Sequence, residues 1–447
     1  EDGQIVSSLA ESWDVSADGL IWKFKLRPNL RFQEIHACGD WTSPKGVSAS
    51  DVVYSLSRSA RNPASLYRWA LSDIVAKDAT DGSLALRALD SHTVEIRLAR
   101  PFPLLNRLVT VAGWVYPAEI AENCGEEFLT RTVVGTGPYR VVEHVPDDHV
   151  NLFRFDDSWS APGNDAPARV EVSIQPDPVA ALEGFKAGRF DIIETPLGTT
   201  GSARQLAASG EARHVVVETN SLDYLVLNNS QPPFNDVRVR QAINLAIDRE
   251  ALAKLLPDAV TPARGYLPPG ASAWDAGGSD TTLKLVFDPD KARALMTEYT
   301  AEQPQTALSL NLIIDGGELT ESIAQFIQTE IQTHLGLSVK INKRTWPEVL
   351  QLAFSGEGRF YRFWWNIVTP GNDLYFLFYF PGAEPPNGFN LSFYENSAFP
   401  GRYSKTFADL NSGSRARKVL DLQADLIRDA VAVPLFHHRQ HYLVRNG

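Results

Sequence analysis

The sequence predicts a mixed α/β protein of two or three lobes, and three observations carry that expectation. At 447 residues the chain is about three times the usual ~150-residue domain. Period-2 alternation, the mark of half-buried strands, sets Trp22, Phe24 and Leu26 against Lys23, Lys25 and Arg27. It recurs with Val94, Ile96 and Leu98 against Thr93, Glu95 and Arg97. Helical periodicity is interleaved with these strands, most clearly at Val239, Ile243, Ala246 and Ile247.

Taken in order, the first 130 residues read as an α+β unit. Ser48-Ala49-Ser50-Asp51 precedes Val52, Val53 and Leu56, which predicts a helix start with Ser48 or Ser50 as its cap. Short strands are expected at 150–155 and 223–227, with a helix over 179–187 ended by Gly188. Asp236 caps the helix that carries Val239. Further helices are expected from Pro289 to about Tyr299 and from about Leu319 to His334, the latter stopped near Gly336. Strands at 308–314 and 338–341 flank that last helix as a β-α-β element, and the tail, 431–444, is strand-like.

Composition excludes several function classes. Ten Trp, 13 Tyr and 22 Phe supply core material that a disordered chain lacks. The longest apolar stretches, such as 374–380, fall far short of the ~18 residues needed to span a bilayer. With 42 basic against 54 acidic residues the formal charge is −12, which argues against a nucleic-acid partner. Cys38 and Cys124 belong to no CxxC or Cys/His metal spacing, leaving two thiols or a single disulfide. The chain opens on Glu1-Asp2-Gly3 in what reads as mid-domain sequence, so a signal peptide is expected to have been removed.

No catalytic constellation stands out: there is no GxSxG, no HExxH and no Cys/His pair with an orienting group. The expectation is a binder, not an enzyme, with no cofactor. Gly135-Thr136-Gly137 lacks the layout of a phosphate loop, and Pro138 removes a backbone donor, so it reads as a structural turn. Arg238 and Arg240 lie in a first helical turn, where cations oppose the helix dipole; pairing with Asp236 or another carboxylate is expected to offset them. On a strand His437, Arg439 and His441 share one face and His438 the other. His437 and His441 would be ~13 Å apart, too far to chelate one metal unaided.

Four stretches together resemble family 5 of the bacterial extracellular solute-binding proteins, receptors for peptides, nickel chelates and related solutes that feed ABC importers. They are Ser8-Leu9-Ala10-Glu11-Ser12-Trp13 with Asp18-Gly19 and Leu26-Arg27; Val47 through Leu56; Val134-Gly135-Thr136-Gly137-Pro138-Tyr139; and Leu227-Asn228-Asn229-Ser230 with Pro233 through Arg249. The resemblance implies a two-lobe periplasmic-binding-protein-like α/β clamp of class II, with an extra α+β subdomain. By that likeness 1–134 is the outer α+β subdomain of lobe one, 135–232 plus 433–447 its core, and 233–432 lobe two. A strand-and-helix segment of roughly 40 residues before Glu1 is expected from the family and is absent from this sequence. Cys38 lies in a loop, 34–45, longer than the family's usual one, and a Cys38–Cys124 disulfide stapling it is the expectation.

The resemblance also places the ligand. Phe363-Trp364-Trp365-Asn366 and the loop through Phe376 look like the family's "GW..DY.DP..F" segment. Peptide-binding relatives place an aspartate early in this loop for the ligand's ammonium; here Val368, or its neighbour Ile367, stands there, and Asp373 matches a later aspartate. The arginine that dipeptide binders carry near 313–317 is also missing. The candidate ligand-binding residues are Trp364, Trp365, Asn366, Val368, Thr369, Asp373, Trp346, Tyr139, His437 and Arg439, with no metal site assigned. The implied function is capture of a peptide or peptide-like solute by hinge closure and delivery to permease subunits, by a monomer outside the cytoplasmic membrane with or without a lipid anchor. Alternatives are a sugar, opine-like or metal-chelate binder, with a lone imidazole capping the chelate, and the sensing domain of a transcription regulator.

Overall fold

The computed structural model describes residues 5–35, 46–62, 68–72, 74–125, 127–128, 132–160, 162–163, 165–195, 199–269, 271, 274, 284–303, 308–366, 383–385, 388–409 and 411–446. The chain compacts as two units, Glu1–Pro176 and Asp177–Gly447.

In the first unit, β1 (Ala10–Val15), β2 (Ile21–Leu26), β3 (Leu86–Ala88) and β4 (Thr93–Arg97) form an antiparallel sheet in the order β1-β2-β4-β3. Trp22, Phe24 and Leu26 are buried while Lys23 and Lys25 are exposed, as period-2 alternation requires. Helix α1 (Ala49–Arg61) packs against β3 and β4. Of the two serines, Ser48 is the cap: it shares a capping box with Asp51, whose second oxygen accepts from the Ala118 N–H at 2.7 Å. The Gly135–Gly137 turn is structural, as expected. The buried Gln33 side chain donates to the carbonyls of Gly137 (3.0 Å) and Tyr139 (2.7 Å), binding the turn to the loop after β2. Beyond it β5 (Tyr139–Val145), β6 (His149–Arg154) and β7 (Arg169–Ser173) form an antiparallel meander. Cys124 is disulfide-bonded; Cys38, the one other cysteine of the sequence, lies outside the described residues.

The second unit is organised by one long strand. Its elements are α2 (Pro178–Lys186), β8 (Ile192–Glu194), α3 (Thr200–Ala208), β9 (Ala212–Glu218), β10 (Ser221–Leu227), α4 (Val237–Ala246), α5 (Arg249–Leu255), β11 (Val260–Pro262), α6 (Pro289–Glu302), β12 (Ser309–Asp315), α7 (Glu318–Leu335), β13 (Ser338–Arg344), α8 (Trp346–Ser355), β14 (Phe360–Asn366), α9 (Phe399–Phe407), α10 (Ser412–Asp429) and β15 (Ala432–Arg445). The sheet runs β11-β15-β10-β14-β12-β13. The first half of β15 pairs with β10 and β11, and its second half with β8 and β9. Residues 177–232 therefore fall with the second unit, whereas the division drawn from the resemblance assigned them to the first lobe. The cause is pairing: all seven residues of β10 oppose β14.

One core fills one face of this sheet. Val239, Ile243 and Ile247, with Ile323, Ala324, Ile327 and Ile331 of α7, pack on Leu310, Leu312, Ile314, Leu225 and Phe360. Gly336 ends α7 at φ +67, a backbone state glycine adopts without the steric cost of a Cβ. Arg238 is held by Asp236 and Glu302 at 2.7 Å each, the carboxylate pairing expected for it. Arg240 differs: it donates instead to the carbonyls of Phe234 (2.7 Å) and Asp429 (2.8 Å), since it is buried beside the C-terminus of α10, where carbonyls lack helical partners.

Candidate functional site

The arrangement of β12, β13 and β14 defines the site. All three are parallel, with β12 in the middle. The connection from β12 to β13 passes through α7 on the face of Leu312 and Ile314. The connection from β13 to β14 passes through α8 on the opposite face, where Trp346 stacks on Phe363 at 5.4 Å. The chain thus leaves the ends of β12 and β13 towards opposite sides, the mark of a topological switch point, where strand ends border a crevice; β14 ends on the other flank of β12. Gly316 and Gly317 follow β12 there; a Cβ on either would meet nothing within 4 Å, and Gly317 takes φ +129, which side-chain-bearing residues avoid.

Alternation along β14 gives the crevice two chemistries. Arg362, Trp364 and Asn366 point to one face, and Phe363 and Trp365 to the other. On the first face Arg362, almost wholly buried, donates through Nε to Oδ1 of Asp223 at 3.0 Å and through Nη2 to its Oδ2. Nη1 reaches Asp315 Oδ1 (3.4 Å) and Thr320 Oγ1 (3.3 Å), tying β14 to the end of β12 and the start of α7. Asp223 is fully buried and lies 3.2 Å from Nε2 of His438. Trp364, 41% exposed, stands at the lip with its ring 5.9 Å from that of His438. Asn366 is exposed at the strand end.

On the second face Phe363 is the centre of an aromatic cluster. Trp346 and Trp365 stack on it at 5.4 and 6.4 Å, Tyr224 and Tyr361 meet it edge-on, and Trp365 reaches Phe389 at 5.5 Å. Trp364 and Trp365 therefore belong to different surroundings although they are neighbours in sequence.

The three histidines of β15 diverge. His437 is fully buried; its Nδ1–H donates to the Ser221 carbonyl at 2.6 Å, and Nε2 has no partner among the described residues. Burial pushes its pKa down to about 4, so the ring is neutral. His438 faces Asp223. His441 donates through Nε2 to the Asp258 carbonyl (2.8 Å), leaving Nδ1 to accept from His214 Nε2 (2.9 Å). Burial lowers the pKa of His214. Among the described residues no three acidic, histidine or cysteine groups are placed to hold a metal ion.

Arg439 pairs across the sheet with Glu218 at 2.6 Å, and Tyr139, in the first unit, donates its hydroxyl to the Pro167 carbonyl at 2.8 Å. The structure thus brings Trp346, Trp364, Trp365 and Asn366 to the ends of the strands and gives Arg439 and Tyr139 local partners. Val368, Thr369 and Asp373, with Ile367, lie outside the described residues. Asp223, Arg362, Asp315 and Thr320 were not singled out from the sequence. Their signal is a lone charge inside each of two apolar runs, 221–227 and 360–365, since buried strands hold opposite charges only as partners.

Known proteins share this fold. The sequence profile of the bacterial extracellular solute-binding proteins, family 5, matches residues 4–387. The chain belongs to that family. Di/tripeptide-binding protein 2 of Pseudomonas aeruginosa (strain UCBPP-PA14) is 28% identical over 377 residues, which cover 79% of this chain and 66% of that protein. The periplasmic oligopeptide-binding protein OppA of Escherichia coli (strain K12) is 25% identical across 99% of this chain and 81% of its own length. Among solved structures, the periplasmic binding protein DppA from Helicobacter pylori in complex with peptide STSA superposes with a TM-score of 0.80 at 24% identity, covering 99% of this chain and 85% of that one. MoaA from A. tumefacien R10 in complex with mannopinic acid gives 0.79 at 22%, covering 98% and 84%. Family 5 membership carries the two-lobe α/β fold, and these relatives are binding proteins rather than enzymes. No helix among the described residues is long and apolar enough to cross a membrane.

Proposed function

We propose that this family 5 protein is the extracytoplasmic receptor of an ABC importer and that it captures a peptide or peptide-like solute for its permease. The observation that carries the reading is the cluster at the carboxyl ends of β12 and β14, where the exposed Trp364 stands beside the buried Asp223–Arg362 pair. A concave site with apolar walls and a few fixed polar groups is what a small-solute receptor needs. Sequence relatives that bind di- and tripeptides and oligopeptides favour the peptide class. With Arg362 already paired, the peptide is held through its backbone and side chains rather than by a terminal carboxylate.

A second reading, a ring-bearing non-peptide solute, draws on the exposed faces of Trp346 and Trp364 and on the likeness to a mannopinic acid complex. Native mass spectrometry of the protein as purified, then after denaturation, separates the two. Released masses of two to several amino-acid residues support the peptide reading, and so does a rise in Tm with a di- and tripeptide library. A released sugar or opine mass, with no response to peptides, overturns it.

A further inference from the structure

We propose that His214 and His441 form a binding site for a divalent copper ion where β9 pairs with β15. The site goes beyond the receptor reading and does not rest on it. His441 lies on the opposite face of β15 from His438, the histidine that neighbours Trp364.

The two imidazoles meet across paired strands. His214 of β9 opposes Leu443 and His441 of β15 opposes Val216, so the pair sits diagonally on one face. The ring centroids are 5.1 Å apart and the planes 28° from parallel, with His214 Nε2 2.9 Å from His441 Nδ1. Two imidazole nitrogens that each bind a metal at about 2.0–2.1 Å, at the right-angled bite of a tetragonal copper site, stand about 2.9 Å apart. A tetrahedral ion such as zinc would need about 3.3 Å, so the spacing favours copper.

His441 is preset as a ligand. Its Nε2–H donates to the Asp258 carbonyl at 2.8 Å, which fixes the tautomer and leaves the Nδ1 lone pair directed at His214. Its ring is buried, whereas His214 is half-buried and leaves the pair open to an ion from solvent. Burial, with His441 and Arg204 close by, lowers the pKa of His214, so that ring is neutral at pH 7. On binding, the proton of His214 Nε2 passes through solvent to Nδ1 of the same ring, and copper takes the two facing lone pairs with no net proton released. The charged groups facing the pair are Arg204 of α3 and Asp258 of the turn between α5 and β11. They are ion-paired with each other, so little net charge opposes the incoming cation. Two protein nitrogens make the site, and water fills the remaining positions.

Calorimetric titration of copper sulfate into the protein, first dialysed free of metal, is expected to show one saturable copper per chain. Electron paramagnetic resonance of that complex should show two imidazole nitrogens bound to the ion. His214→Gln keeps an N–H donor for His441 Nδ1 but supplies no lone-pair nitrogen, so its metal-free Tm should match that of the native protein. Its copper affinity should fall by more than the roughly tenfold that even an outer-shell partner contributes. The rival ligand is His149 of β6, which meets Asp148 at 2.8 Å and Glu143 at 3.3 Å; His149→Gln should leave the affinity unchanged. No saturable binding, a spectrum with fewer than two nitrogens, or an affinity that follows His149 or is unmoved by His214→Gln would overturn the proposal.

Discussion

The two faces of β14 make the most instructive comparison in the molecule. Arg362 and Phe363 are adjacent in sequence and both buried, yet one anchors a charge network and the other an aromatic stack. The strand's two-residue period separates them, and the helices on either side complete the difference: α7 brings Thr320 to the first face, α8 brings Trp346 to the second. The ion-paired network and the aromatic contacts can therefore be altered independently at one site.

The largest effect should come from breaking the network on one side only. Asp223→Ala strands a buried guanidinium and is expected to cost about 3–5 kcal/mol in urea unfolding. The double change Asp223→Leu with Arg362→Met should recover most of that loss, because an apolar pair of similar volume needs no desolvation. A loss under about 1 kcal/mol for the single variant would show that the pair is not held in a dry core.

Next in size is a pH effect on the histidines of β15. Folding lowers the pKa of His437 from 6.5 to about 4. Between those values the unfolded chain binds more protons, so stability is full above pH 6.5 and is lost as the pH falls towards 4, by roughly 3 kcal/mol. His437→Asn keeps a donor for the Ser221 carbonyl and should flatten most of that slope, leaving the smaller share of His214. An unchanged slope would mean that His437 is not buried neutral.

Smaller changes sharpen the contrast between the faces. Phe363→Leu removes ring contacts with Trp346 and Trp365 and should cost about 1–2 kcal/mol without changing the cost of Asp223→Ala measured in the same background. Trp364→Phe, at the exposed lip, should alter stability by less than about 0.5 kcal/mol while weakening solute binding. The reverse pattern would exchange the roles assigned to the two faces.

The elements were legible because their signals are local. Asp236 caps α4, Gly336 stops α7, and the β12-α7-β13 unit lies where apolar periodicity and turn residues place it. The site was half legible. Trp364 and Trp365 stood out together, but alternation alone puts them on opposite faces, which their shared motif hides. The Asp223–Arg362 pair joins residues 139 positions apart, and no local pattern names the partner of a buried charge. The partners of β10 were hidden for a similar reason: which strands it pairs with is decided by β14 and β15, far along the chain.

Hydrogen exchange with and without a di- and tripeptide library tests the central claim, that solute is received at the carboxyl ends of β12 and β14. Slowed exchange confined to residues 315–320 and 362–366, with β9 unchanged, is the predicted result. Solute binding that leaves those two segments unprotected would contradict it.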